Sequence, residues 1–470
     1  MKKRKTLIGS LLVIALFLLS AMIGMLTTAS GEEDFKNTFI EKETGTTELF
    51  GGGDYVAIKF GSDAWFAVIY GTEDNPNSII IASVATRYLG AAEVYDGSGG
   101  KISTQIPIRI KNVFAMKLRH IFEFNDTNDD GLCNYRKKGD GLTYKDYVMH
   151  EPIYKAVNLS TVWERSEVTV TSNETGKSWE FTLTAIDLPY VPIGEVSGEG
   201  KLEKVVFTIK LSASLKDVER GVPFYKIELR RNEDAVDRVI EKGNRTYKGK
   251  TIVYSTKMDH YFEGWDFEEN NTNPHLLLET HAFVGNVVPS EVAKKWRWLT
   301  YNVAKEKIKG TVRAKVEYSG ENQSEEMDED NAKAGWYINK APKRLKHQRI
   351  KLETQWEKVG WLTWVTNVTV TRNGTETEKN MYFQVQGHRK LWGFGIEKKT
   401  VYRGFVILGG FSYPWGDTIY HDPSVGSEVT LLDISEIGIE EDSEWMPGFE
   451  LLALIPAAAA AVVVFGRRKR

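Results

Sequence analysis

A single cysteine, Cys133, stands in a chain of 470 residues, so no intrachain disulfide can brace the fold. A chain this long can bury enough apolar surface to fold without one. Histidine is scarce too: eight residues are spread along the sequence, and none recurs at the spacing of a metalloprotease helix. His150-Glu151 lacks the second histidine of that motif. Thr171 to Ser178 ends in Gly-Lys-Ser but carries Thr where a phosphate loop needs its first glycine. Gly410-Phe-Ser412-Tyr-Pro414 misses the closing glycine of a nucleophile elbow. Positive charge is in deficit, with 61 Lys+Arg against 64 Asp+Glu, and eight of the bases lie in two terminal clusters. With Glu450 of the tail also set aside, the stretch between holds 53 bases and 63 acids, a net charge of about −10, which argues against a nucleic-acid partner, because phosphate neutralisation needs a basic face. These absences remove the commonest nucleotide, hydrolase and metalloprotease readings, and the chain reads as non-catalytic.

Long apolar runs occur only at the two ends. Lys2-Lys3-Arg4-Lys5 precedes an uncharged run from Thr6 to Leu26 and the small residues Thr27 to Ser30. That order describes a secretory signal peptide over residues 1–30, cleaved near Ala29 or Ser30; a run of this length left uncut would serve as a signal anchor. At the other end an apolar segment from Leu451 to Phe465 stops on Arg467, Arg468, Lys469 and Arg470. Basic clusters beside apolar segments favour the cytoplasmic side, so both ends place the middle of the chain outside the cell.

The tail resembles the sorting signal of the archaeal PGF-CTERM cell-surface proteins, the archaeosortase substrates. Pro447, Gly448 and Phe449, the apolar segment and the terminal basic stop carry the resemblance, which covers about 25 residues and implies nothing about the fold of the rest. It implies a processing enzyme as partner, removal of the tail and a lipid anchor on the cytoplasmic membrane. An acidic spacer, Glu436 to Glu444, replaces the Thr-rich one of that family, and Glu450 and Pro456 interrupt the apolar run. The alternative is a transmembrane helix that stays uncut. Sequons at Asn125, Asn158, Asn173, Asn244, Asn270, Asn322, Asn367 and Asn373 are expected glycosylation sites on exposed loops, which suits an archaeal envelope glycoprotein.

Hydrophobic residues at 41% and charged residues at 27% describe a folded chain rather than a disordered one. Apolar and polar residues alternate over 111–124, 167–171, 179–184, 205–211 and 365–371, the period of half-buried strands. Asn173-Glu-Thr-Gly176 separates 166–171 from 178–184 as a hairpin, and Asn373-Gly374 sits between 363–371 and 380–386 as a type I′ turn. One amphipathic helix is expected after Pro289-Ser290. The expected class is all-β, two β-sandwich-like domains with little helix. Residues 31–53 read as a leader, 54–318 as β domain, 319–334 as an acidic linker, 335–433 as a second β domain and 434–446 as an acidic stalk. Val168 to Thr175 and Val368 to Thr375 resemble one another, which hints at duplication.

Asp126, Asn128 and Asp130 offer oxygens at alternate positions, Gly131 permits a sharp turn, Leu132 offers a carbonyl and Asn134 follows at the ninth place. These nine residues resemble the start of the calcium loops of EF-hand and dockerin-type proteins, and imply a structural Ca²⁺. Lys137 stands where the bidentate Glu belongs, so a further ligand must come from elsewhere, with Asp140 the nearest candidate. The alternative is an Asx turn whose side chains bond their own backbone. Carboxylates beside aromatics, at Glu263-Gly-Trp265-Asp266 and Trp415-Gly-Asp417 to His421-Asp422, suit glycoside hydrolysis where two converge. Tryptophan is concentrated late in the chain, and exposed faces would stack on sugars; packing in a core is the competing use. The function expected from sequence is envelope structure, adhesion or ligand display at the cell surface, the alternative a carbohydrate-binding protein or glycoside hydrolase.

Overall fold

A computed structural model describes residues 40–432, apart from 48–51, 61–63, 134, 138–146, 150, 174–175, 193–198, 230–235, 289–311, 319–323, 328–346, 355–356, 366 and 395–400. The signal segment, the sorting tail with its basic stop, the stalk, the expected helix and most of 319–334 lie outside the described residues. So do Asn134, Asp140 and Asn322.

All regular structure in the described residues is strand. Strands β1 (Ile40–Thr47), β2 (Gly53–Phe60), β3 (Ala64–Tyr70), β4 (Ile80–Tyr95) and β5 (Lys101–Asn125) each pair antiparallel with the next. Short β6 (Tyr135–Lys137) and β7 (Tyr147–Met149) form a ribbon of their own, and β8 (Ile153–Asn158) returns to β5. Then come β9 (Glu164–Arg165), β10 (Thr169–Asn173), β11 (Gly176–Pro192), β12 (Lys201–Leu229), β13 (Val236–Glu263) and β14 (Pro274–Val288). Strands β10 to β13 pair in succession, while β14 joins β5. Two features connect these groups: β8 bonds both β5 and β11, and β12 pairs in parallel with β4 over Phe224–Glu228.

The remaining strands are β15 (Val312–Tyr318), β16 (Ser324–Met327), β17 (His347–Thr354), β18 (Glu357–Val365) and β19 (Asn367–Arg372). They are followed by β20 (Thr375–Asn380), β21 (Tyr382–Phe394), β22 (Val401–Pro414), β23 (Thr418–His421) and β24 (Pro423–Leu432). Strands on either side of the expected linker at 319–334 are hydrogen-bonded to each other. β14 runs along β22 from His275–Pro414 to Val288–Val401, and β13 pairs with both β23 and β24. Within the linker itself, Ser324–Met327 forms β16 against β15.

Alternation explains the strands. In β12, Val205, Phe207, Ile209 and Leu211 are fully buried while Lys210 is exposed. They belong to one apolar cluster with Val56, Phe66 and Phe114 of the first strands, Leu276 and Leu278 of β14, and Phe411 and Tyr413 of β22. The first expected hairpin is present, with Asn173 opposite Gly176. The second turns where expected: Asn373 (φ 51°) and Gly374 (φ 75°) close it, and Arg372 opposes Thr375. Its returning strand is β20 at 375–380 rather than 380–386, a correction with a clear cause. All six side chains of β20 are exposed, so no apolar alternation marks it.

Candidate metal centre

β5 ends at Asn125, and the chain turns through the loop Asp126 to Cys133. Positive φ at Asp129 (56°) and Gly131 (76°) makes the turn. The loop is anchored at both ends. Asp126 N–H donates to Asn273 O at 3.0 Å, and Asn273 Nδ2 donates to Asp126 O at 2.9 Å. Gln384 of β21 clamps the other end, accepting from Cys133 N–H at 2.7 Å and donating to Cys133 O at 2.8 Å.

Inside the loop the acidic side chains bond backbone. Asp126 accepts from the N–H of Asp130 at 3.1 Å through Oδ1 and from that of Gly131 at 2.7 Å through Oδ2. Asn128 Oδ1 accepts from Asp130 N–H at 3.2 Å, and Asn128 Nδ2 donates to Asp130 Oδ2 at 3.0 Å. Asp130 Oδ1 accepts from Leu132 N–H at 2.8 Å. The Asx-turn alternative is thus part of the geometry, but it does not exhaust these oxygens. A carboxylate has about four acceptor positions, and these two backbone bonds occupy half of them on Asp126.

Glu151, just after β7, completes the group. Asp126, Asp130 and Glu151 each offer an oxygen, and these lie within 4.8 Å of one another. Oxygens at about 2.4 Å from one calcium ion can be separated by at most about twice that distance, so the three fit a single coordination sphere. Asp126 and Glu151 are buried. No lysine or arginine pairs with Asp126 or Asp130 among the described residues, and the field of the cluster reaches its neighbours. Burial pushes the Cys133 thiol well up, and Glu151, Asp126, Glu279 and Asp130 push it further. That thiol is a packed apolar group, not a nucleophile. Burial and then Asp126, Asp129 and Asp130 raise the Tyr382 phenol as well. Such an all-oxygen set suits a hard divalent cation.

Of the sequence-derived ligands, the fold brings Asp126, Asn128, Asp130 and Leu132 into one loop, with Asn128 exposed at its rim. Lys137, which stands where the bidentate Glu of a calcium loop belongs, ends β6. Glu151 was not legible as a ligand, because the stretch of chain that carries β6 and β7 separates it from Asp130. The strands assemble a second unrecognised group: buried Glu279 with His120 Nδ1 at 2.7 Å and His281 Nε2 at 3.3 Å. Burial works against its charge, yet His281 and His120 hold the carboxyl well below the ordinary range. His275, Glu279 and His281 occupy alternate positions of β14, so strand spacing was the signal.

The expected glycan acceptors Asn158, Asn244, Asn270, Asn367 and Asn373 are exposed, and Asn173 ends β10. Asn125 departs from that expectation. It is buried, with Nδ2 on Thr272 Oγ1 at 3.3 Å and Oδ1 receiving Asn273 N–H at 3.2 Å. The carboxylates read as hydrolase candidates have structural partners: Asp266 faces Lys155, Asp422 faces Lys257 at 3.0 Å, and Asp417 accepts from Asn373 N–H at 2.6 Å. Trp163, Trp179, Trp265 and Trp364 are buried, and Trp65 and Trp415 half-buried. No protein family matches the chain, and no curated protein does.

Proposed function

We propose that this chain is an exported, membrane-anchored cell-surface protein with a non-catalytic role in envelope structure, adhesion or ligand display. Its described strands form a β-sandwich-like body, and a Ca²⁺ held by Asp126, Asp130 and Glu151 pins the loop over one face. The observation that carries the reading is the charge pattern of the two ends. Each has a basic cluster against an apolar run, and the acidic stretch of strands lies between them. Hard oxygen donors, with no lysine or arginine paired to Asp126 or Asp130 among the described residues, support a structural calcium. The six tryptophans with described side chains are packed or half-packed, which supports a structural use of these rings over a sugar platform.

The test is the intact mass of the native chain extracted from membranes. A chain that ends near Met446 to Phe449 and carries a lipid supports the surface reading and the sorting mechanism. A chain running through Arg470 in the membrane fraction keeps the address and removes the sorting step. Recovery of the whole chain from the cytosol, with Met1 and its basic cluster intact, would overturn the proposal.

A further inference from the structure

Lys155 is almost wholly buried, an expensive position for an ammonium group. Its Nζ lies 3.3 Å from Glu268 Oε1, 3.7 Å from Asp266 Oδ2 and 3.9 Å from Glu123 Oε2. The Tyr190 ring centroid is 4.5 Å away. Glu123 is the deepest of the carboxylates, with no exposed surface. A register slip between Phe122 and Phe124 sets it across from this part of β8. Its Oε1 accepts from Asn271 Nδ2 and from Glu268 N–H, each at 2.9 Å, and its Oε2 accepts from Trp265 Nε1 at 3.0 Å. Asn271 is buried too, and its Oδ1 has no hydrogen-bond partner among the described residues.

One buried carboxylate thus sits between an amine and a side-chain amide, walled by Tyr190 and Trp265. The geometry points to an intramolecular isopeptide bond between Lys155 Nζ and Asn271 Cγ, formed with Glu123 as the catalytic acid–base. Glu123 takes a proton from the Lys155 ammonium, leaving a nucleophilic amine. The Nζ–Cγ bond forms as the Cγ–Nδ2 bond breaks. A second proton from Nζ is relayed through Glu123 to the departing nitrogen, which leaves as ammonia, and the proton first taken follows it to give ammonium. Nothing is oxidised or reduced, and no co-reactant is needed. Burial excludes water that would otherwise hydrate the amine. The product replaces a buried ion by a neutral amide and ties β8 to the segment leading into β14. In a chain with one cysteine, it is the covalent brace that a disulfide cannot supply.

Peptide mapping of the purified full-length chain after denaturation and trypsin digestion tests the bond. The expected result is one branched peptide joining the Lys155 and Asn271 segments, lighter than their sum by one ammonia, with no cleavage after Lys155. Two linear peptides with cleavage after Lys155 would overturn the proposal. So would ammonia loss confined to Asn271, the mark of a succinimide. Asn271→Ala should abolish the branch. Glu123→Asp keeps the charge but withdraws the carboxylate, and should leave a mixture of linked and unlinked chains. Complete linkage in Glu123→Gln would remove Glu123 from the chemistry.

Discussion

His260 of β13 and His421 of β23 stand opposite each other in the strand register, and both reach the hydroxyl of Tyr413. His260 Nδ1 is 2.8 Å from that oxygen and His421 Nδ1 is 3.0 Å from it. The proton order follows from the far end of the chain. Val365 O can only accept, so His421 Nε2, at 2.9 Å, carries a proton and donates. His421 Nδ1 then accepts from the Tyr413 hydroxyl, whose oxygen accepts from His260 Nδ1–H. His260 Nε2 is left as a bare acceptor among Phe207 and Phe411, without a partner among the described residues.

Acid should attack the fold through this pair. Burial lowers the His421 pKa to about 4, and burial with His421 nearby holds His260 well below its ordinary value. The unfolded chain therefore binds these protons first. Above the ordinary histidine value of 6.5 the pair has no pH effect; below it stability falls, and His421 has spent its share once the pH passes about 4. That share amounts to about 3 kcal/mol at 1.36 kcal/mol per unit. Urea midpoints measured from pH 7.5 to 4.5 should fall, and His421→Gln, which can accept from Tyr413 and donate to Val365, should flatten the slope. Equal slopes in the two proteins would reject the assignment.

Calcium should raise the melting temperature of the wild-type chain. A ligand at 100 times its dissociation constant stabilises by about 2.7 kcal/mol. Asp130→Ala and Glu151→Gln should each remove most of the calcium-dependent shift. Glu151→Gln is the sharper variant, since it nearly preserves shape and touches a residue distant from the loop in sequence. Equal shifts with and without Glu151 would show that the loop works alone, or that calcium binds elsewhere.

The sequence made the strands legible where one face is buried and the other wet, as in Val205 to Leu211. It hid β20, whose residues are all exposed. It located Asp126, Asn128 and Asp130, because one loop carries them at fixed spacing, but not Glu151, which only the path through β6 and β7 brings in. Pairings such as His275 with Pro414 depend on which distant strand completes a sheet edge, and alternation within a strand is silent on that choice. His120, Glu279 and His281 shared the same difficulty: strand spacing put two of them on one face, and only pairing of β5 with β14 added the third.

Gly131 tests how tightly the loop is packed. A Cβ there would fall inside the ring of Tyr382, at a positive φ of 76°. Gly374 has a near-identical φ of 75° but open space around it. Gly374→Ala therefore measures backbone strain alone, and Gly131→Ala adds displacement of the Tyr382 ring. Thermal or urea unfolding should find Gly131→Ala more destabilising by about 1–3 kcal/mol, the usual cost of overpacking. Similar losses in the two variants would mean that Tyr382 gives way freely.

Gln384 ties the loop to β21, and the tie spans 251 residues of chain. Gln384→Leu keeps the side chain's bulk while removing both hydrogen bonds that Gln384 makes to Cys133. Cys133 N–H and O would then lose two buried hydrogen bonds, each worth about 0.5–1.5 kcal/mol. Because the loop holds Asp126 and Asp130 in register with Glu151, the same change should weaken the calcium response as well as lower the melting temperature. Gln384→Glu separates the two effects. Its carboxylate can still accept from Cys133 N–H, but it cannot donate to Cys133 O and it adds a negative charge near the acidic cluster. In metal-free solution it should be at least as destabilising as Gln384→Leu, and calcium should recover more of its loss. A calcium shift in Gln384→Leu equal to that of the wild type would show that the cation site does not depend on the clamp.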